Sequence, residues 1–572
     1  MPDRWSSELL DIRKRMSLAG LPNHMGSEES LNTARRWLQH CMVHHGVCRS
    51  DQDETFRPTR LLYLGDNSIC LHTHLEMPQR VQCLTLSHCW GKFHIVRLLE
   101  RNEYDFRCAI LPSELSHTFS DAVRITRHLG FSYLWIDSLC IIQDSPQDWE
   151  HEAKLMGKVY RNAVCNIAAS DAPDGRHGCL YPRNPRTLQP ETIPNRRPGV
   201  AAAEEEYIIN QTDIYQTPNP NSVSLDSDPT HILYTRAWVL QEALLARRTL
   251  DCWRGQLFWR CGELRASEVF PGGVPTNIFH DGHPASLFKA ISAERDQVIL
   301  NANILTRILR TPASRDQISV APGKGSIERY TDSPFAFWAA LVKQYTSMGL
   351  TKDTDRGVAV AGITDVFRPY FGEHWFGMWK VFMPPELLWA VGGRVKRPTT
   401  VRAPSWSWMS VEGPVSYWGC VFRYRKDRLL TRLLGVEDAG EIGMRLRLLT
   451  PLLRATLDGT TRDGEPGERS FIRSIEGHTR RLSYRGIPTL PDYYGEVFWD
   501  YRDEAPPEDV FCVCIQVKTM DDRLGVKGLE VKGLEVREVE DGIFERLGHF
   551  TDYRGLMLPF VEETSDRHIL LA

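Results

Sequence analysis

No stretch of the 572-residue chain approaches the roughly 18 consecutive apolar residues of a helical membrane span. Its start also lacks the apolar core of a secretory leader, because Asp3, Arg4, Glu8, Asp11, Arg13, Lys14 and Arg15 break up residues 1–16. A soluble protein of the cytoplasm, with no membrane span, is the expectation. Charge of one sign is missing too. Lys and Arg total 69 against 73 Asp and Glu, a net charge of -4, so no basic field draws the chain to nucleic acid or an anionic membrane, and no nucleic-acid partner is expected. Long repeats are absent: the tandem Val526-Lys-Gly-Leu-Glu and Val531-Lys-Gly-Leu-Glu is too short for a solenoid and reads as a slipped duplication in a hairpin.

What is present is ordinary globular material, 42% hydrophobic and 25% charged. The length exceeds one core and implies roughly two to four units. Fourteen cysteines sit mostly in apolar surroundings, among them Cys83, Cys140, Cys165, Cys512 and Cys514, as buried thiols in a reducing compartment do; no disulfide framework is expected. Residues 28–44 place Leu31, Ala34, Trp37, Leu38 and Cys41 at helical spacing. Cys41, His44, His45 and Cys48 follow at spacings that suit zinc. No second ligand pair stands nearby, so packing is the favoured reading and no metal is expected.

From residue 81 onward, strands alternate with helices, the pattern of βαβ units and a parallel sheet. Residues 81–87 read as a strand, and 116–129 as a helix with Phe119, Ala122, Val123, Thr126 and Leu129 on one face and Gly130 as its left-handed cap. A second strand, 133–136, runs into Asp137. Ser145, Pro146 and Asp148 then open a helix carrying Trp149, Ala153, Met156 and Tyr160, and 163–168 forms a third strand. Proline and asparagine break the rhythm over about 171–235, an insertion. Residues 238–246 read as helix and 249–259 as aromatic-rich strand. Residues 272–284 are loop-like, and 290–309, 334–347 and 357–370 helical. Trp406, Trp408, Tyr417, Trp418 and Phe422 precede short alternating segments such as 510–517. The expected division is a helical flank at 1–80, an α/β domain at 81–245, a mixed, largely helical region at 246–400 and a β-rich region at 401–572.

Three blocks stand out: Leu84-Thr-Leu-Ser-His-Cys-Trp-Gly91, Tyr133-Leu-Trp-Ile-Asp-Ser-Leu-Cys-Ile-Ile-Gln-Asp144 and Thr235-Arg-Ala-Trp-Val-Leu-Gln-Glu242. In this order they resemble the heterokaryon incompatibility (HET) domain of filamentous fungi. The linking segments Asp148-Trp149-Glu150 and Met156-Gly-Lys-Val-Tyr160 fit as well, and Arg402-Ala-Pro-Ser-Trp-Ser-Trp408 looks like the flank of long HET proteins. The resemblance implies nonself recognition and regulated cell death after fusion of unlike hyphae, with a partner from an incompatibility locus that the sequence does not identify and with homo-oligomerisation on activation.

In open α/β sheets, ligands bind beyond the carboxyl ends of the strands. By that rule the loop bearing Ser87, His88, Trp90 and Gly91, the segment from Asp137 to Gln143, and Ser170 with Asp171 line one crevice. Glu242 lies four residues after Trp238, one helical turn away on the same face. A Trp-x-x-x-Glu helix after a third strand resembles that of Toll/interleukin-receptor (TIR) domains, and implies a TIR-like or flavodoxin-like sheet. There the glutamate cleaves NAD, which makes Glu242 the candidate catalytic carboxylate and NAD the candidate substrate, with no cofactor. On this likeness Trp238 shapes the pocket, Ser87 and Trp90 meet the ribose or nicotinamide side, and Asp137 and Gln143 hold the dinucleotide. Val239 stands where the TIR pattern often has Cys.

Plainer roles stand beside these. Trp90 and Trp238 suit a core, Glu242 can pair with Arg236 or Arg247, and Asp137 can cap the turn after its strand. Adjacent strand residues point to opposite faces, which argues against His88 and Cys89 as a nucleophile pair. A non-enzymatic self-assembly module is the alternative to the enzyme.

Overall fold

A computed structural model describes residues 20–49, 53, 55–65, 68–188, 191–194, 206–209, 232–253, 255–273, 334–392, 395, 398, 400–417, 428–440, 443–458, 469–475, 496–500, 509–521, 527–552 and 557–572. The helix expected at 290–309, most of the insertion at 171–235 and the aromatics Trp418 and Phe422 lie outside the described residues. The chain forms two units: residues 1–312 with 358–366, and residues 313–357 with 367–572.

The first unit is built on an eight-stranded sheet. Its members in chain order are β1 (Arg60–Leu64), β2 (Ile69–Thr73), β3 (Leu84–Ser87), β4 (Tyr133–Trp135), β5 (Cys165–Ala169), β8 (Arg248–Trp253), β9 (Gln256–Cys261) and β10 (Arg265–Ser267); β6 (Glu191–Pro194) and β7 (Glu206–Ile209) form a separate hairpin. The spatial order is β10-β9-β8-β5-β3-β4-β1-β2. The centre, β4-β3-β5-β8, is parallel, and its strands β5 and β8 are buried throughout, as strands covered on both faces must be. Both edges are antiparallel, so the sheet is mixed rather than wholly parallel. The sheet extends beyond residues 81–245 at both ends of that segment. β1 and β2 precede that segment and β8–β10 follow it, because the central strands need neighbours for their remaining backbone hydrogen bonds.

Among the described residues of this unit the longer helices of residues 1–312 are α1 (Glu28–His44), α2 (His117–Leu129), α3 (Pro146–Asn162) and α4 (Ala237–Leu245). Ser116 caps α2 by accepting from Phe119 N, and Gly130 closes it at φ 91°. α3 starts after Ser145 without a side-chain cap; its Asp148 accepts instead from Ile142 N and pairs with Arg60 of β1. α3 crosses residues 358–366 of a later helix, Val358–Phe371, at paired glycines: a Cβ on Gly157 would stand 2.7 Å from the Gly362 Cα. Among the described residues no helix is long and apolar enough to cross a membrane.

The second unit carries a nine-stranded sheet, mostly antiparallel, whose long strands are β11 (Met444–Asp458), β12 (Asp509–Asp521), β13 (Lys527–Glu540) and β14 (Ile543–Asp552). The expected β-rich end is this sheet, and residues 527–535 of the tandem repeat lie along β13, paired with β12. Trp338, Trp379, Trp389, Trp406 and Trp408 are fully buried in this unit. The 402–408 segment is packing: the Trp408 indole donates to Gly377 O and the Trp389 indole to Trp406 O.

Candidate functional site

β3 and β5 carry a line of hydroxyl and amide groups across the middle of the sheet. Thr85 Oγ1 donates to Asn166 Oδ1 at 3.0 Å, and Asn166 Nδ2 donates to Ser87 Oγ at 3.0 Å. All three are buried, so their bonds to one another replace water. Successive strand residues point to opposite faces. Ser87 accordingly faces α3 and α4, whereas His88 sets its ring edge-on to Phe119 of α2 at 5.0 Å.

Asp137, just after β4, is the hub of the strand ends. Its Oδ1 meets His88 Nε2 at 2.9 Å and accepts from Ser138 N at 2.7 Å, and its Oδ2 accepts from the Trp90 indole at 2.8 Å. Burial pushes the Asp137 carboxyl up, but His88, the Trp90 hydrogen bond and Arg236 outweigh it and hold the group below its ordinary value. Beyond its contact with the adjacent Ser138 N, the Asp137 carboxylate makes its bonds across to the loop after β3. Gln143 donates its amide to Asp137 O and Ile141 O, which closes this turn from beneath. Gly91 at φ 63° has to be glycine: a Cβ there would stand 2.5 Å from Asp174 Cβ.

Glu242 lies on α4 and is 6% exposed. Burial is the main reason its carboxyl is pushed up to about 7; neighbouring Asp137 adds to the rise, while the Ser87 and Tyr160 hydroxyls and Arg236 oppose it. Among the described residues its buried Oε2 has no hydrogen-bond partner. Glu242, Ser87 and Asp137 are therefore brought within electrostatic reach of one another. Arg236 does not form the expected surface pair with Glu242; its Nη1 donates to His88 O at 2.5 Å and ties α4 to the loop after β3. Trp238 is half-buried and turns its ring edge-on to Trp149 of α3 at 6.3 Å. Cys89 packs with Ala168, Leu233, Tyr234, Val239 and Ala243, and its thiol is raised by burial, the opposite of what a nucleophile needs.

A second buried carboxylate stands at the same end of the sheet. Asp251 on β8 accepts from Ser170 Oγ at 2.6 Å and Tyr234 Oη at 2.5 Å, and burial raises it to about 6. Sequence reasoning missed Asp251, Tyr160, Asn166 and Tyr234. Asn166, a single amide inside an apolar strand, and Asp251, a carboxylate between Leu250 and Cys252, were the available signal. Residues able to ligate a metal gather elsewhere in this unit, where α1 meets β9.

These features define a class of protein: an α/β domain with hydroxyls and perturbed carboxylates collected at the carboxyl ends of parallel strands. Residues 84–242 match the family described as Heterokaryon incompatibility protein (HET), so the chain carries a HET domain, beginning on the first residue of β3 and ending on Glu242. None of the curated proteins or solved structures compared matches the chain. The HET domain points to a role in heterokaryon incompatibility.

Proposed function

We propose that this HET domain is the effector of an incompatibility response that ends in cell death, and that once assembled it hydrolyses the N-glycosidic bond of NAD or a related nucleotide. The observation that carries the reading is Glu242: a buried carboxyl titrating near 7, beside Ser87 and Tyr160, at the strand ends. The parallel centre β4-β3-β5-β8 follows the flavodoxin-like order 2-1-3-4, whose ligands bind at the switch between its first and third strands, here β3 and β5. α4, the helix bearing Glu242, follows the third parallel strand β5 in the chain, the place of the Trp-x-x-x-Glu helix in the TIR likeness.

In this chemistry the ribose C1′–N bond breaks and its electron pair leaves on the nicotinamide nitrogen, which loses its positive charge. The Glu242 carboxylate stabilises the oxocarbenium charge on the ribose; water then adds at C1′ and gives its proton to Glu242. Neither metal nor cofactor is required. A value near 7 leaves about half of Glu242 ionised at neutral pH, enough to act in both capacities. Because Glu242 is only 6% exposed, we place turnover in an assembled state and not in the resting chain.

The test is nicotinamide release from NAD by the full chain, alone and fused to a forced oligomer. Turnover by the oligomer, abolished in Glu242→Gln while the variant still folds cooperatively, is the expected result. No turnover in either state overturns it in favour of a non-enzymatic assembly module.

A further inference from the structure

We infer that the N-terminal flank and the outer hairpin of the sheet are joined by a tetrahedral zinc ion held by Cys41, His45, Cys48 and Cys261. Cys41 lies on the last turn of α1, His45 is its C-cap residue, and Cys48 follows three residues on. The fourth ligand ends β9, more than two hundred residues away, which is why no second ligand could be found beside the first three in the sequence. All four side chains are buried, and their ligand atoms lie within 4.8 Å of one another; Cys261 Sγ and His45 Nδ1 are 3.3 Å apart. Bond lengths of about 2.3 Å to sulfur and 2.0 Å to nitrogen put the corners of a zinc tetrahedron roughly 3.5 to 3.8 Å apart, so a small contraction completes the site. His44, whose ring is tilted against that of His40 at 4.6 Å, is not among the four.

The sulfurs are met by hydrogen-bond donors. Arg248 Nε donates to Cys41 Sγ and the Gly262 N–H to Cys48 Sγ, each at 3.1 Å, the outer-shell bonds that orient metal-bound sulfur. Arg248 is 4% exposed and pairs with no carboxylate among the described residues; its other donors reach Val164 O and Cys48 O. A buried guanidinium calls for a negative partner. Three thiolates around Zn²⁺ leave one net negative charge, which Arg248 cancels. Four closed protein ligands leave no open position for a substrate, so the ion is structural. Its ligands come from either side of residues 84–242, and the ion clasps the two flanks across the HET domain.

The experiment measures zinc in the full chain purified from zinc-supplemented cells, followed by cobalt(II) substitution. We expect about one zinc per chain, a cobalt spectrum of tetrahedral thiolate type, and a fall in Tm on chelation. Cys261→Ser loses the metal, while Cys108→Ser, at an exposed cysteine, keeps it. Should Cys261→Ser fail to fold, His45→Cys serves in its place, retaining the metal with a cobalt spectrum shifted by the fourth sulfur. Arg248→Gln weakens binding by about 10- to 100-fold. A folded wild-type chain that takes up neither zinc nor cobalt, or a disulfide joining two of these cysteines in freshly purified protein, overturns the site.

Discussion

His88 Nε2 lies 2.9 Å from Asp137 Oδ1 and so joins the ends of two neighbouring parallel strands. Asp137→Asn replaces an acceptor by a donor against the Trp90 indole, the His88 ring or the Ser138 N–H. A loss of about 1–3 kcal/mol at neutral pH is expected from urea unfolding, and Trp90→Phe, which keeps an aromatic ring, loses about 1 kcal/mol. Asp137 is held below its ordinary value, so its contribution is present above the unfolded-state pKa and disappears as pH falls through the lower folded one. The Asn variant and wild type therefore converge in acid. Equal stability at pH 7 would remove Asp137 as the hub.

Glu242 and Asp251 shift in the opposite direction, to about 7 and about 6, chiefly through burial. The folded chain then binds protons more tightly than the unfolded one, and stability drops as pH rises from about 4 through 7. At about 1.4 kcal/mol per unit, Glu242 accounts for a decline of a few kcal/mol. Denaturation at pH 5 and pH 8 should show this slope, reduced in Glu242→Gln. A Gln variant with the wild-type pH profile contradicts the raised carboxyl.

Glycine positions supply a third expectation. Gly91→Ala combines a positive φ with a collision against Asp174 and should lower stability by about 1–3 kcal/mol in thermal melts. Gly157→Leu drives a side chain into Gly362 and Leu245 Cδ1, so a larger drop in Tm is expected there. Gly130→Asn, at a helix cap with open space around it, should be tolerated.

In the second unit, Arg546 is buried against Asp500 at 2.6 Å and over the Trp389 ring at 3.4 Å. Asp500→Asn strands a buried cation, and about 3–5 kcal/mol should be lost from the unfolding of this unit. Replacing both partners, Arg546→Met with Asp500→Leu, should recover most of it. A double variant no better than the single one would show that the Trp389 contact carries the energy.

The helix at 116–129 was legible because its signals are local: a serine cap, an apolar face and a glycine at positive φ act within one or two turns. The three parallel strands of the HET blocks were legible as short apolar runs between helices. The edges of the sheet were not. β1, β2 and β10 join it through backbone hydrogen bonds, which leave no residue-specific mark; β8 and β9 lie where the aromatic-rich strand was read at 249–259, but its split into two antiparallel strands was not marked. Glu242 was marked by its spacing from Trp238, yet the partners are Ser87, Tyr160 and Asp137 rather than the indole, because α4 turns the carboxylate inward and Trp238 toward Trp149.

By itself the sequence determined the local helices, the alternation that makes an α/β sheet and the HET blocks, all of which depend on residues close together in the chain. Only the tertiary structure decided which side chains meet. It raised the Glu242 carboxyl by burying it and brought Cys261 to Cys41, His45 and Cys48. Desolvation and ligand geometry depend on distances across the fold, and chain spacing does not encode them.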